Sequence, residues 1–212
     1  MSDSPLHFYI LGHNLTLQKE AEKLGLIINT NKTKYMQVTR KTNIIKQDIE
    51  VAGKYYEAVN QFIYLGSQIN SKNLIKEEIR LRIQTGNRSL FANKKLLRNK
   101  DLNAVSKLQI YKSIVRLVVT FGSEIRAMTV TEQNRLLIFE RRVFGKIYGP
   151  TEDNDGTWRI KINEEFEILI KKETIVRFIK SQRLRWAAYV IRMDTIRTVK
   201  KLTDWEPRSS NQ

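Results

Sequence analysis

Lysine and arginine are the residues of this chain best suited to chemistry, and that chemistry is the neutralisation of phosphate. Lys and Arg number 38 against 22 Asp and Glu, giving a net charge of +16 and a pI near 10.0. Such a surplus favours a polyanionic partner. Nucleic acid leads, because Lys and Arg that displace condensed counterions bind phosphate without reading sequence. The competing reading is a solvated basic surface. The candidate cations fall into three groups: Lys32 and Lys34; then Arg80, Arg82, Arg88, Lys94 and Lys95; then Arg177, Lys180, Arg183 and Arg185. Other chemistries fail on residue type. The chain has no Cys, and its two His are His7 and His13, which excludes disulfides and thiolate sites and argues against a His-based zinc site. In the acidic stretch TEDNDG (151–156), aligning Asp153, Asp155 and Gly156 on a calcium loop puts Ile162 where a bidentate Glu is required, so the stretch reads as a turn. No Gly-rich phosphate loop, nucleophile–base pair, heptad array or internal repeat occurs.

The elements that position these cations change character along the chain. With 41% hydrophobic residues in 212, the chain should fold, as one ordinary domain or two small ones. The start, MSDSPLHFYILGHNL, lacks a basic leader region and a long apolar run, so the expectation is an intracellular protein of nucleus or cytoplasm, with no membrane partner. HFYILG (7–12) reads as a strand. Residues 16–24 read as a helix with Leu17, Ala21 and Leu24 on one face and Gly25 as its stop. Leu26 to Ile28 reads as extended, Asn29 to Asn31 as a polar turn, and Lys32 to Val38 as a second strand. A basic loop (40–47) leads to a hairpin around Ala52-Gly53 and a strand-like run from Phe62 to Ile69 broken at Gly66. This spacing predicts a small antiparallel sheet with a helix against it.

From Ser71, a candidate N-cap, the pattern becomes helical. Ile75, Ile79, Ile83 and Leu90 form a stripe, extended by Phe91 and Leu97, and Gly86 argues against one unbroken helix. A second helix, 102–119, should bury Val105, Leu108, Ile110, Tyr111, Ile114, Val115 and Val118. A third begins near Thr131, with Leu136, Leu137, Phe139, Val143 and Ile147 inward. Residues 163–193 predict one or two helices: Phe166, Leu169 and Ile170 pack the first, and Ile175, Ile179, Trp186, Val190 and Met193 share a face of the second. Trp186 suits either a core or a base-stacking platform. The fold class expected is α+β, mostly α.

Four segments, in order, resemble the C-terminal part of non-LTR (LINE-type) retrotransposon reverse transcriptases. They are GLIINTNKTKYM (25–36), FIYLGSQI (62–69), Phe-Gly-Ser-Glu (121–124) and RLRWAAYVIRM (183–193), and Glu-Ile-x-x-Arg-Ile (78–83) resembles the start of the thumb. The chain departs from the family pattern at Arg126, where a Trp is usual, and at Ala187, Ala188 and Tyr189, where Leu, Gly and His are usual. The resemblance implies a truncated palm (1–70), a thumb-like helical region (71–150), a C-terminal basic helical region (151–203) and a disordered tail (204–212). It implies that Lys32, in the Lys-Thr pair, lies near a nucleotide and primer end, with the alternative that a Lys there merely guards a strand edge; Lys34 follows it as a further nucleic-acid-binding candidate. It implies that Tyr64, Leu65 and Gly66 belong to the primer-supporting strand, and that the thumb and C-terminal cations named above face phosphates. The intact family uses Mg2+, held by aspartates on the strand before the first helix. The equivalent place here is HFYILG, which holds no carboxylate. The expectation is therefore a chain with no catalytic residue, metal site or small-molecule cofactor, binding RNA or DNA weakly and without sequence preference. The alternatives are a host-retained basic nucleic-acid-binding module and a non-functional, unstable fragment.

Overall fold

The computed structural model describes residues 16, 18–37, 47–72 and 74–204. HFYILG, most of the basic loop and the tail after Asp204 lie outside the described residues. The protein is α+β and mostly helical, and it divides into two compact units, Met1–Leu74 and Ile75–Gln212.

In the first unit residues 18–23 are helical (α1). Gly25, at φ 72°, ends α1 as expected. Its N–H donates to the Glu22 carbonyl and that of Leu26 to the Ala21 carbonyl, the double bond of a Schellman stop. The polar turn also forms, with the Asn29 carbonyl accepting from the Thr33 N–H and hydroxyl. Two hairpins follow. β1 (Ile49–Val51) pairs antiparallel with β2 (Lys54–Tyr56), and β3 (Gln61–Tyr64) with β4 (Ser67–Asn70). Each loop has two residues with positive φ, Ala52-Gly53 and Leu65-Gly66, the pattern that matches strand twist. Three expectations are corrected. Leu26 to Ile28 is not a strand. Of the predicted strand 32–38, the described residues 32–37 contribute a single parallel bridge, Tyr35 with Ala58. The strands form separate two-stranded ribbons and not one sheet, because each is closed by its own tight turn and pairs only with its chain neighbour. Apolar burial here is small: Val51, Tyr56 and Ala58 are buried, whereas Leu26, Ile27, Ile63, Tyr64 and Leu65 are exposed.

The second unit holds a larger core. α2 (Lys76–Ala92) is followed by α3 (Lys94–Arg98) and α4 (Ala104–Ile110). A π-helical turn (Tyr111–Val115) leads into α5 (Arg116–Thr120). Then come a 3-10 turn (Ser123–Ile125), α6 (Val130–Tyr148), the hairpin β5 (Thr151–Glu152) and β6 (Trp158–Arg159), α7 (Asn163–Leu169), α8 (Ile175–Ile191) and α9 (Thr198–Thr203). Ile79, Val115, Val119, Leu136, Phe139, Val143, Ile175 and Ile179 meet in the centre. Each such side chain contributes roughly 1.5–3 kcal/mol on burial. Phe144 adds an aromatic cluster, with the Tyr111 ring edge-on at 5.4 Å and Phe166 at 6.0 Å. Helix α6 starts at a capping box: the Thr129 hydroxyl accepts from the Glu132 N–H while the Glu132 carboxylate accepts from the Thr129 N–H. Among the described residues no helix is long and apolar enough to cross a membrane.

The π turn explains which residues of the second predicted helix are buried. The Arg116 N–H reaches back five residues to the Tyr111 carbonyl, so one extra residue enters the turn and the inward face rotates. Tyr111, Val115 and Val119 are buried, while Val105 and Ile114, expected inside, are exposed. Gly86 is corrected as well. It does not interrupt α2, because absence of a side chain is what its position requires. A Cβ there would lie 2.4 Å from Val119 Cγ2 and 3.0 Å from Phe139 Cζ. Helix propensity favours Ala over Gly by about 1 kcal/mol, but Val119 is buried and β-branched and has nowhere to turn. Gly86→Ala should therefore destabilise the protein by about 1–3 kcal/mol in urea unfolding, and Val119→Ala in the same chain should recover part of that loss. A neutral or stabilising Gly86→Ala would contradict this packing.

Candidate nucleic-acid interface

The cations of the second unit divide by what the helices do with them. Arg80 and Arg88 lie exposed on α2, and Lys94 and Lys95 are exposed on α3. Arg80 comes only to 4.0 Å of Glu77. Arg177, Lys180, Arg183 and Arg185 are exposed on α8, a helix that buries Ile175, Val176, Ile179 and Val190. Among the described residues none of these four stands within salt-bridge distance of a carboxylate. Trp186 is half-buried beside Tyr189, ring centroids 5.5 Å apart.

Arg82 sits differently. It is buried, its Nε donates to Glu78 Oε1 at 2.7 Å, and its guanidinium lies 4.7 Å from the Phe121 ring centroid. Arg126 donates to the same Glu78 oxygen at 2.7 Å. Burial pulls the Arg126 guanidinium below its ordinary value while Glu78 opposes that shift. Glu78 thus gathers two cations inside the unit. In the first unit, Lys32 is exposed and Lys34 donates to Glu57 at 2.6 Å. Tyr64, Leu65 and Gly66 form the exposed tip of the β3–β4 hairpin, and Leu65 holds a positive φ that costs a β-carbon residue about 1–2 kcal/mol.

A groove of about 540 Å³ opens between α2, α3 and α6, lined by Asn87, Leu90, Phe91, Lys94, Leu97, Arg98 and Lys146. Its lining has an apolar floor, one exposed aromatic ring, three cations and no carboxylate. Sequence reasoning missed this site, since Lys146 lies far along the chain from Phe91 and no spacing rule links them.

It also missed the buried Glu140. Tyr111 Oη donates to Glu140 Oε1 and the Ile175 N–H to Oε2, each at 2.8 Å, so one carboxyl joins the π turn, α6 and the start of α8. A signal was present, an acid inside the Leu136, Phe139, Val143 stripe. Burial raises the Glu140 carboxyl to about 7, with the two hydrogen bonds and Arg116 pulling the other way. Burial and Glu140 together push Tyr111 up. Nearby, Glu173 accepts from Lys112 and Arg116, and the Lys112 bond first, then that of Arg116, draws its carboxyl down.

No protein-family model matches the chain, and no solved structure matches it. A Caenorhabditis elegans protein described as transposon-derived is 25% identical over 205 residues, covering 90% of this chain and 68% of the relative. That similarity supports a transposon origin for this chain.

Glu140 gives the fold a testable pH dependence. Its pKa is raised on folding, so its contribution to stability is complete below about 4.5, the unfolded value, and declines as pH rises through about 7. Glu140→Gln keeps an acceptor for Ile175 and a donor for Tyr111. Chemical denaturation of both proteins from pH 4.5 to 8 should show the wild type losing stability relative to the variant, by on the order of 3 kcal/mol across the window. A constant difference would show that Glu140 does not titrate there.

Proposed function

We propose that the chain is the distal palm, thumb and C-terminal helical region of a LINE-type reverse transcriptase, acting as a basic nucleic-acid-binding element without nucleotide transfer of its own. The observation that carries this reading is the set of exposed cations on α8, Arg177, Lys180, Arg183 and Arg185, which have no carboxylate partner among the described residues. Supporting it are the four ordered sequence resemblances, the similarity to a transposon-derived protein, and the absence of a carboxylate from HFYILG. Arg80, Arg88, Lys94 and Lys95 would add phosphate contacts from α2 and α3. Arg82 has a different part, since Glu78 holds its charge inside. Lys32, in the first unit, remains a proposed phosphate ligand, and Tyr64, Leu65 and Gly66 a proposed support for a primer strand. Mg2+ belongs to the intact family's chemistry, and we assign no metal ligand in this chain. RNA or DNA is the proposed partner, bound through phosphate and without sequence preference.

The test is binding to a labelled RNA–DNA hybrid across a salt series, with primer extension assayed in parallel. Affinity should fall linearly in log–log form as salt rises. Replacing Arg177, Lys180, Arg183 and Arg185 with Gln should weaken binding at low salt and flatten the slope by up to about one for each phosphate that is no longer neutralised. No extension should occur with Mg2+ and deoxynucleotides. Salt-insensitive binding, an unchanged slope in the variant, or templated extension would each overturn the proposal.

A further inference from the structure

The groove between α2, α3 and α6 has features that phosphate neutralisation alone does not require. Phe91 is 75% exposed, on a helix that buries Ile79 and Leu90. Behind it, the buried side chains of Leu90 and Leu97 make an apolar floor. Around it stand Lys94, Arg98 and Lys146, with no carboxylate in the lining and none within salt-bridge distance among the described residues. These three cations line one opening, and an anion seated there is attracted by each of them. The Lys94 ammonium stands 5.7 Å from the Phe91 ring centroid, on a flexible stem that can swing to a phosphate. The Asn87 amide, on the same lining, offers a donor and an acceptor to a planar edge.

We propose that this groove takes an unpaired base of a single-stranded nucleic acid, stacked on Phe91 with its flanking phosphates held by Lys94, Arg98 and Lys146. The proposal rests on the nucleic-acid reading above and narrows it. Bases within a duplex are already stacked and turn their faces away from a protein ring, whereas a single strand presents every base face. An apolar floor and an aromatic wall inside a ring of cations suit that ligand better than they suit a bare phosphate.

A strand with bases and an abasic strand of equal length carry the same phosphates and differ only in what can stack. Fluorescence anisotropy with both, at low salt, isolates the Phe91 contribution. The wild type should bind the base-containing strand roughly five-fold or more tightly than the abasic one. Phe91→Ala should bring the two to parity while leaving the abasic affinity unchanged, and Phe91→Trp should restore the preference. Lys94→Gln, Arg98→Gln and Lys146→Gln should weaken both strands together. Because Phe91 is exposed, circular dichroism should show the variants folded as the wild type. Equal wild-type affinity for the two strands, or a preference that survives Phe91→Ala, overturns this proposal and leaves phosphate binding standing. Failure to bind either strand overturns both.

Discussion

The Glu78 carboxylate, shared by Arg82 and Arg126 inside the second unit, shows the constraint under which this protein folds. Cations outnumber acids by a wide margin, so each acid placed inside decides which cations are held and which are left to solvent. Removing one partner of such a buried set costs far more than losing an exposed pair. Glu78 holds two arginines, and Glu173 holds Lys112 and Arg116. Glu140 and Glu132 accept from backbone and hydroxyl donors instead, at the start of α8, on Tyr111 and at the cap of α6. α3 and α8 carry no acidic residue of their own, so their exposed surface is strongly basic.

The same constraint links packing to the candidate interface. Gly86 lets α2 approach Val119 and Phe139, which fixes the helix whose last turn presents Phe91. The capping box at Thr129 sets where α6 begins, and its length carries Lys146 to the groove. The π turn brings Tyr111 inward to Glu140, and Glu140 in turn receives the first N–H of α8. The start of α8, and with it the helix that carries Arg177, Lys180, Arg183 and Arg185, is therefore held by a buried carboxyl on another helix.

Much of the fold was legible in the sequence where the signal is local. Gly25 as a helix stop, the Ala52-Gly53 hairpin, the break at Gly66 and the stripe from Leu136 to Ile147 all follow from turn chemistry or periodicity. Non-local choices were not legible. Nothing near Lys32–Gln37 announces that a lone β-bridge at Tyr35 forms there among the described residues, and a simple helical period places Ile114 inside because it cannot anticipate a π insertion. Gly86 reads as a breaker until Val119, thirty-three positions later by number, is set against it. For the site, the cations of α8 were recognisable as a cluster of charges interleaved with the apolar positions of a predicted helix, whereas Arg82 reads as one more surface cation until Glu78 and Arg126 are seen around it. The groove at Phe91 depends on three helices meeting and has no linear signature.

The central claim is that nucleic acid engages the cations of the second unit that have no carboxylate partner among the described residues. Lysine acylation followed by mass spectrometry, with and without an RNA–DNA hybrid, tests it residue by residue. The account predicts that Lys94, Lys95, Lys146 and Lys180 become protected at low salt and lose that protection at high salt, while Lys112, already held by Glu173, changes little. Absence of protection, or equal protection of Lys112 and the exposed lysines, would contradict it.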